Sequence, residues 1–109
     1  MISWSDFEKV DIRIGTVIEA KTFPKAKKPA YQLTIDFGAL GIKKSSAQIT
    51  KFYSTDILIG QQVIAVVNFP PKQIADFISE CLVLGIYDEN DDVVLLTSNH
   101  PVSNGLKIG

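Results

Sequence analysis

Residues 31 to 37 read Tyr-Gln-Leu-Thr-Ile-Asp-Phe. Tyr31, Leu33, Ile35 and Phe37 fall on one side of an extended chain, and Gln32, Thr34 and Asp36 on the other. A helix would scatter these residues around its axis, whereas a strand sorts them cleanly. A strand with one apolar and one polar face belongs in an antiparallel sheet that is buried on one side only. This run is the cleanest strand in the chain.

Val10 to Phe23 predicts a long strand, with Val10, Ile12 and Ile14 alternating with Asp11 and Arg13. After Gly15 the phase changes and Val17 and Ile18 stand side by side, so a bulge or bend is expected at Gly15. Pro24 to Ala30 is a basic loop between two prolines. Gly38 to Gly41 is a turn, and Ile42 to Ile49 is a strand with Lys44, Ser46 and Gln48 on one face. Thr50 to Ile59 holds a short helix, capped by Ser54 or Thr55 and stopped by Gly60. Gln62 to Asn68 and Cys81 to Tyr87 are continuous apolar strands, with Phe69-Pro70-Pro71-Lys72 ending the first. Ile74 to Ser79 is too short to assign. Asp88 to Asp92 is an acidic hairpin turn from which Val93 to Thr97 returns. Ser98 to Gly109 is an irregular tail. At the other end, Ser3 to Val10 reads as a short helix start, and Ser5-Asp6-Phe7-Glu8 fits a capping box. Trp4 and Phe7, three apart, are expected to cover one end of the core.

The order is about five strands, with a short helix between the third and fourth and a bent first strand. That pattern predicts an all-β fold, a five-stranded Greek-key barrel of the OB type with short helices, occupying residues 1–109 as one domain. An SH3-like barrel is the alternative. The strands at Val63–Val67 and Leu82–Ile86 are apolar on both faces, although one face of a small barrel should be wet. Helices and tail, or a second subunit, must cover the surplus; a homodimer is the expectation.

Composition narrows the function. The chain has 109 residues, 46% of them apolar, and no apolar run near the ~20 residues of a membrane helix. Its start lacks the basic and apolar pattern of a signal peptide. The single Cys81 excludes an internal disulfide and a cysteine-based zinc cage. The net charge of -1 conceals a gradient: Ala20 to Thr55 holds seven lysines and one acid, +6, and the rest carries -7. Such asymmetry fits an anionic partner, or a solvated lysine-rich face.

Catalytic chemistry has little to stand on. His100 is the single histidine and lies in the irregular tail, with no spacing that pairs it with Cys81 or a serine. Cys81, inside an apolar run, reads as a small buried hydrophobe. The acids at Asp88–Asp92 lack the ligand spacing of a calcium loop, and no glycine-rich phosphate loop is present. No catalysis, metal or cofactor is expected. Binding is better supported. Lys25, Lys27, Lys28, Lys43, Lys44 and Lys51 are interleaved with Phe23, Tyr31, Phe52 and Tyr53 where OB barrels take their ligands. Lysines neutralise phosphates and aromatic rings give stacking surface. Ser46 and Gln48, beside Lys44, suit hydrogen bonding to the backbone of a nucleic acid or a peptide.

Phe7-Glu8-Lys9-Val10-Asp11-Ile12-Arg13-Ile14-Gly15 resembles the start of the tRNA-binding domain family, which includes the C-terminal appendix of some methionyl-tRNA synthetases. Residues 28–38, 42–50, 66–71, 82–85 and 101–105 resemble its CsaA-type export chaperones, in order and spacing across almost the whole chain. The resemblance implies an OB fold with N- and C-terminal extensions, a homodimer, and a cytoplasmic role without catalysis. It implies binding of unfolded or precursor proteins and of the secretion motor SecA, at apolar pockets near the dimer interface, and no membrane association. Lys28, Lys44, Ser46, Gln48 and Asn68 match the family's tRNA-binding surface, so tRNA is the alternative ligand. Tyr31 and Lys43 join these as candidate contacts, and Phe69 and Phe77 as candidate apolar contacts.

Overall fold

A computed structural model describes all 109 residues. Eleven-residue β1 (Ile12–Thr22) is the spine. Its first half pairs antiparallel with β4 (Gln62–Val66), from Ile12 opposite Val66 to Thr16 opposite Gln62. Its second half pairs with β2 (Tyr31–Asp36), from Thr16 opposite Asp36 to Thr22 opposite Tyr31. One long strand thus belongs to two neighbours, and this bends the sheet toward closure. With β3 (Ile42–Ala47) beyond β2 and β7 (Leu82–Val83) beyond β4, the sheet order is β3-β2-β1-β4-β7. Two hairpins complete the fold: β5 (Lys72–Ile74) with β6 (Phe77–Ser79), and β8 (Gly85–Tyr87) with β9 (Val93–Leu95). The result is the expected OB-fold, a nearly closed five-stranded barrel with two short helices.

The alternation of β2 builds the core. Leu33, Ile35 and Phe37 are fully buried and pack with Val17, Leu58, Val63 and Ala65. Ser45 is the one buried polar side chain, and its hydroxyl donates to the Cys81 carbonyl at 2.9 Å. A buried hydroxyl left without a partner would be costly. A second, small cluster of Phe23, Ala30 and Phe77 anchors the basic loop to the β5–β6 hairpin.

Several expectations are corrected. The bulge falls between Val17 and Glu19, not at Gly15. Gly15 is needed for a different reason: a Cβ there would meet Ile35 and Phe37 at 2.7 Å. The first helix, α1 (Trp4–Glu8), lies within the expected Ser3–Val10 span, but its cap is two residues earlier than expected. Ser3 Oγ accepts from Asp6 N at 3.2 Å, and Asp6 Oδ2 accepts from Ser3 N at 2.9 Å, so the capping box is Ser3–Asp6. No residue of α1 is buried and Trp4 is exposed, so α1 does not cover the core. α2 (Thr55–Leu58) is capped by Ser54, whose Oγ accepts from Ile57 N, and ends before Gly60 at φ +90°. The run from Cys81 to Tyr87 is two strands, because its partner changes from β4 to β9 at Leu84.

The tail is more ordered than its sequence suggests. Gly105 N donates to Ile14 O, Ile14 N to Leu106 O, and Ile108 N to Ile12 O. This segment occupies the β1 edge that β2 leaves free. Arg13 Nη1 donates to Gly105 O, and Asn104 Oδ1 accepts from Thr16 and Gln62, which fixes the approach.

Candidate functional site

The barrel is latched at one end of its seam and open at the other. Glu80 N donates to Lys44 O at 2.7 Å, Lys44 N to Glu80 Oε1 at 2.9 Å, and Ser46 N to Ser79 Oγ at 3.1 Å. These bonds tie β3 to the segment that leads into β7. Past Ser46 the two walls enclose a groove of about 570 Å³. Ser46, Ala47, Gln48 and Ile49 line one wall, and Cys81, Leu82, Val83 and Leu84 the other. Phe69, Pro70, Ile74, Tyr87 and Val93 complete its apolar lining. The surface is mainly apolar with a few polar groups, the make-up of a ligand-binding cleft. Phe69 and Leu82 are about half exposed, at 53% and 48%.

The expected contact residues divide among several places. Ser46, Gln48 and Phe69 line the groove. The register of β3 sends Lys44 and Ser46 to the outer face of the sheet and Lys43 to the side of buried Ser45. Lys43 and Lys44 therefore do not form one patch. Lys44 lies in a cross-strand row with Thr34 and Glu19, and Ser46 in a row with Gln32 and Lys21. Lys21 is within 3.1 Å of Glu19, an exposed pair that adds little stability. Lys28 is exposed on the basic loop, away from the groove. Its neighbour Lys25 is paired with Asp76 at 2.9 Å, and this hydrogen bond holds the Asp76 carboxyl below its usual range.

Three expected contacts have roles in the fold. The Tyr31 hydroxyl donates to Tyr53 O at 2.8 Å, and its ring packs against the core. Phe77 is buried against Phe23, with ring centroids 5.5 Å apart, so it offers no apolar surface. Asn68 accepts from Asp11 N at 3.0 Å and donates to Lys9 O at 2.7 Å, tying the loop after β4 to the approach to β1. Each end keeps a further bonding position, since the amide has a second N–H and the carbonyl oxygen a second lone pair, and Asn68 is exposed.

Reactive groups are sparse. Burial pushes the Cys81 thiol up to about 11, so it is protonated near neutral pH and a poor nucleophile. His100 is exposed on the tail, and nowhere do three His, Cys, Asp or Glu side chains gather as metal ligands. Sequence reasoning missed Ser79 and Glu80, which close the barrel against β3. Their hairpin has strands of three residues, too short to leave a periodic signal. It also missed that the Leu82–Leu84 run forms a groove wall, although the surplus apolar residues there were visible.

Residues 12–107 match the family model described as "Putative tRNA binding domain". Among solved structures, the chaperone CsaA of Bacillus anthracis is 57% identical, with a TM-score of 0.95, over 100% of this chain and 99% of that one. The CsaA chaperone protein of Picrophilus torridus is 54% identical, with a TM-score of 0.94, and the match covers 100% of both chains. The methionine–tRNA ligase of Methanocaldococcus jannaschii is 33% identical over 107 residues, 98% of this chain but 16% of that protein. The chain spans about that share of the curated relatives it matches, and the matched share is a binding domain rather than a catalytic one. With the OB barrel, full-length cover and identity above one half all in agreement, the chain belongs to the tRNA-binding domain family and, within it, to the CsaA type.

Proposed function

We propose that residues 1–109 act as one polypeptide-binding module, a chaperone without catalysis that holds unfolded or precursor chains in the groove between β3 and β7. The observation that carries this reading is the open apolar groove itself. Half-exposed Phe69 and Leu82 stand in it and no element of the fold covers them. The CsaA chaperones at 54–57% identity support it. Ser46, Gln48 and Phe69 are the contacts we assign. A homodimer belongs to the same reading. On the outer face of the β8–β9 hairpin, Ile86 stands opposite Val94, and they are 58% and 41% exposed. Tyr87 links that face to the groove. Transfer of clients to SecA and a cytoplasmic setting are part of the same proposal, supported by the CsaA resemblance.

The test is light scattering of an aggregating client with and without the protein. Suppression at stoichiometric dimer is expected; unchanged aggregation would overturn the reading. A mass by multi-angle light scattering checks the dimer separately.

A second reading, tRNA binding, is favoured by the outer face of β1–β3. Lys21, Gln32, Thr34, Lys44 and Ser46 share that face, and Lys27 and Lys28 are exposed on the nearby loop. A labelled-tRNA titration at two salt concentrations tests it. Neutralising phosphates gives a slope of log affinity on log salt of ~0.7–0.9 per contact, so a flat slope removes the reading.

A further inference from the structure

The groove has a property beyond its apolar lining: its walls carry backbone groups that the barrel leaves unpaired. Phe37 N donates to Gly41 O, so the odd-numbered residues of β3 turn their backbone toward β2. The even-numbered ones turn theirs to the seam. At Lys44 and at the Ser46 amide these groups are used by Glu80 and Ser79. Ser46 C=O, Gln48 N–H and Gln48 C=O remain, and no bond of the fold takes them up. On the opposite wall Leu84 N donates to Ile64 O, which sets the phase of the β4–β7 ladder. Val83 N–H and C=O therefore turn away from β4. Ser46, Gln48 and Val83 all line the groove.

Unpaired sheet edges are templates for another strand, and proteins normally cover or charge them. Here the edge at Ser46–Gln48 is open inside a cleft, between apolar side chains of both walls. The charged residues of the lining are Glu80 and Asp91 against Lys72, an excess of one negative charge.

We propose that the groove takes its polypeptide by β-strand addition to the β3 edge at Ser46–Gln48, selecting extended segments with basic flanks rather than a particular sequence. This rests on the polypeptide-binding reading and specifies its mode. Main-chain bonds to Ser46 and Gln48 supply affinity that does not depend on the client's side chains. Alternate client side chains then face the apolar side of the cleft formed by Ala47, Ile49 and Val83, and the others face away from it. A helical segment satisfies its own backbone and leaves those edge groups empty.

The probe is a short peptide, Lys-Val-Thr-Leu-Thr-Val-Lys, acetylated and amidated, with its backbone nitrogens methylated one at a time. N-methylation removes one donor and blocks one edge. Binding to the full protein is read by calorimetry. Methylation at alternate positions should weaken binding about tenfold and leave the intervening positions within about twofold, the difference a lost hydrogen bond makes. Equal effects at all positions, or none at any, would overturn strand addition while leaving polypeptide binding intact. A parent peptide that does not bind overturns both. Gln48→Pro, which deletes one edge donor, should reproduce the loss in a protein whose circular dichroism is unchanged. If that variant misfolds, the methylation series still decides.

Discussion

Gly15 carries a demand that its sequence position only hints at. It lies in β1 opposite Val63, and the Ile35 and Phe37 side chains close over it where any other residue would place a Cβ. Both neighbours are fully buried and have nowhere to move. Gly15→Ala should therefore cost about 1–3 kcal/mol, the usual range for overpacking a core. A urea titration should show a lower midpoint with an unchanged slope; a variant as stable as the parent would mean that the core yields. Cys81 makes a prediction of a different kind. Burial raises its thiol from 9.0 to about 11, so the folded protein favours the protonated form more than the unfolded chain does. That contribution is fully present below pH 9 and is lost as pH rises through 11, amounting to about 2–3 kcal/mol. The stability difference between the protein and Cys81→Ala should shrink across that window, and stay flat below it. A difference that is constant from pH 7 to 11 would show that the thiol titrates alike in both states.

Among the elements, those legible in the sequence are the ones long enough for a period to register. β2 is written plainly in Tyr31–Phe37, and β3 shows its polar face in Lys44, Ser46 and Gln48 because that face is wet. The β5–β6 hairpin was not legible, since three-residue strands give no period and their partner is set by contacts across the fold. The break in Cys81–Tyr87 was hidden for a related reason: a run apolar throughout does not show where its pairing partner changes. The phase of β3 puts Lys43 on the face opposite Lys44, since neighbours on a strand point to opposite sides. The tail was the largest omission. Pro101 and Asn104-Gly105 read as turn signals, but nothing local shows that β1 has a free edge where β2 stops. Gly105 sits at φ +89°, and a Cβ on it would run into the Phe37 carbonyl oxygen. Gly105→Ala should thus release the tail before it disturbs the barrel. The amide hydrogens of Ile14 and Ile108, which bond across this junction, should exchange faster, while those of β2 keep their protection. Loss of protection in β2 as well would show that the tail and barrel unfold as one unit.

At the scale of the whole molecule, the +6 stretch Ala20–Thr55 supplies most of the cations of one face, and the proposed polypeptide groove lies apart from that face. The lysine-bearing outer face of β1–β3 is polar and presents its side chains to solvent. The groove at the seam is mainly apolar, with Glu80 and Asp91 against Lys72 among its lining. Ser46 is the one residue that belongs to both: its side chain lies in the row with Lys21 and Gln32, and it also forms part of the groove wall. Two surfaces this close but chemically unlike should be separable by substitution. Lys21→Glu with Lys44→Glu removes two cations from the outer face without touching the groove lining. It should weaken tRNA binding and flatten its salt dependence by about 1.4–1.8 in slope, at ~0.7–0.9 per phosphate contact. Suppression of client aggregation should be unchanged. Phe69→Ser acts in reverse, removing a half-exposed ring from the groove and leaving the charge as it was. Aggregation suppression should fall and the tRNA titration should stay the same. Measured side by side, opposite losses establish two independent surfaces. If both variants lose both activities, tRNA and polypeptide compete for a single site, and Ser46 is where that site would have to lie.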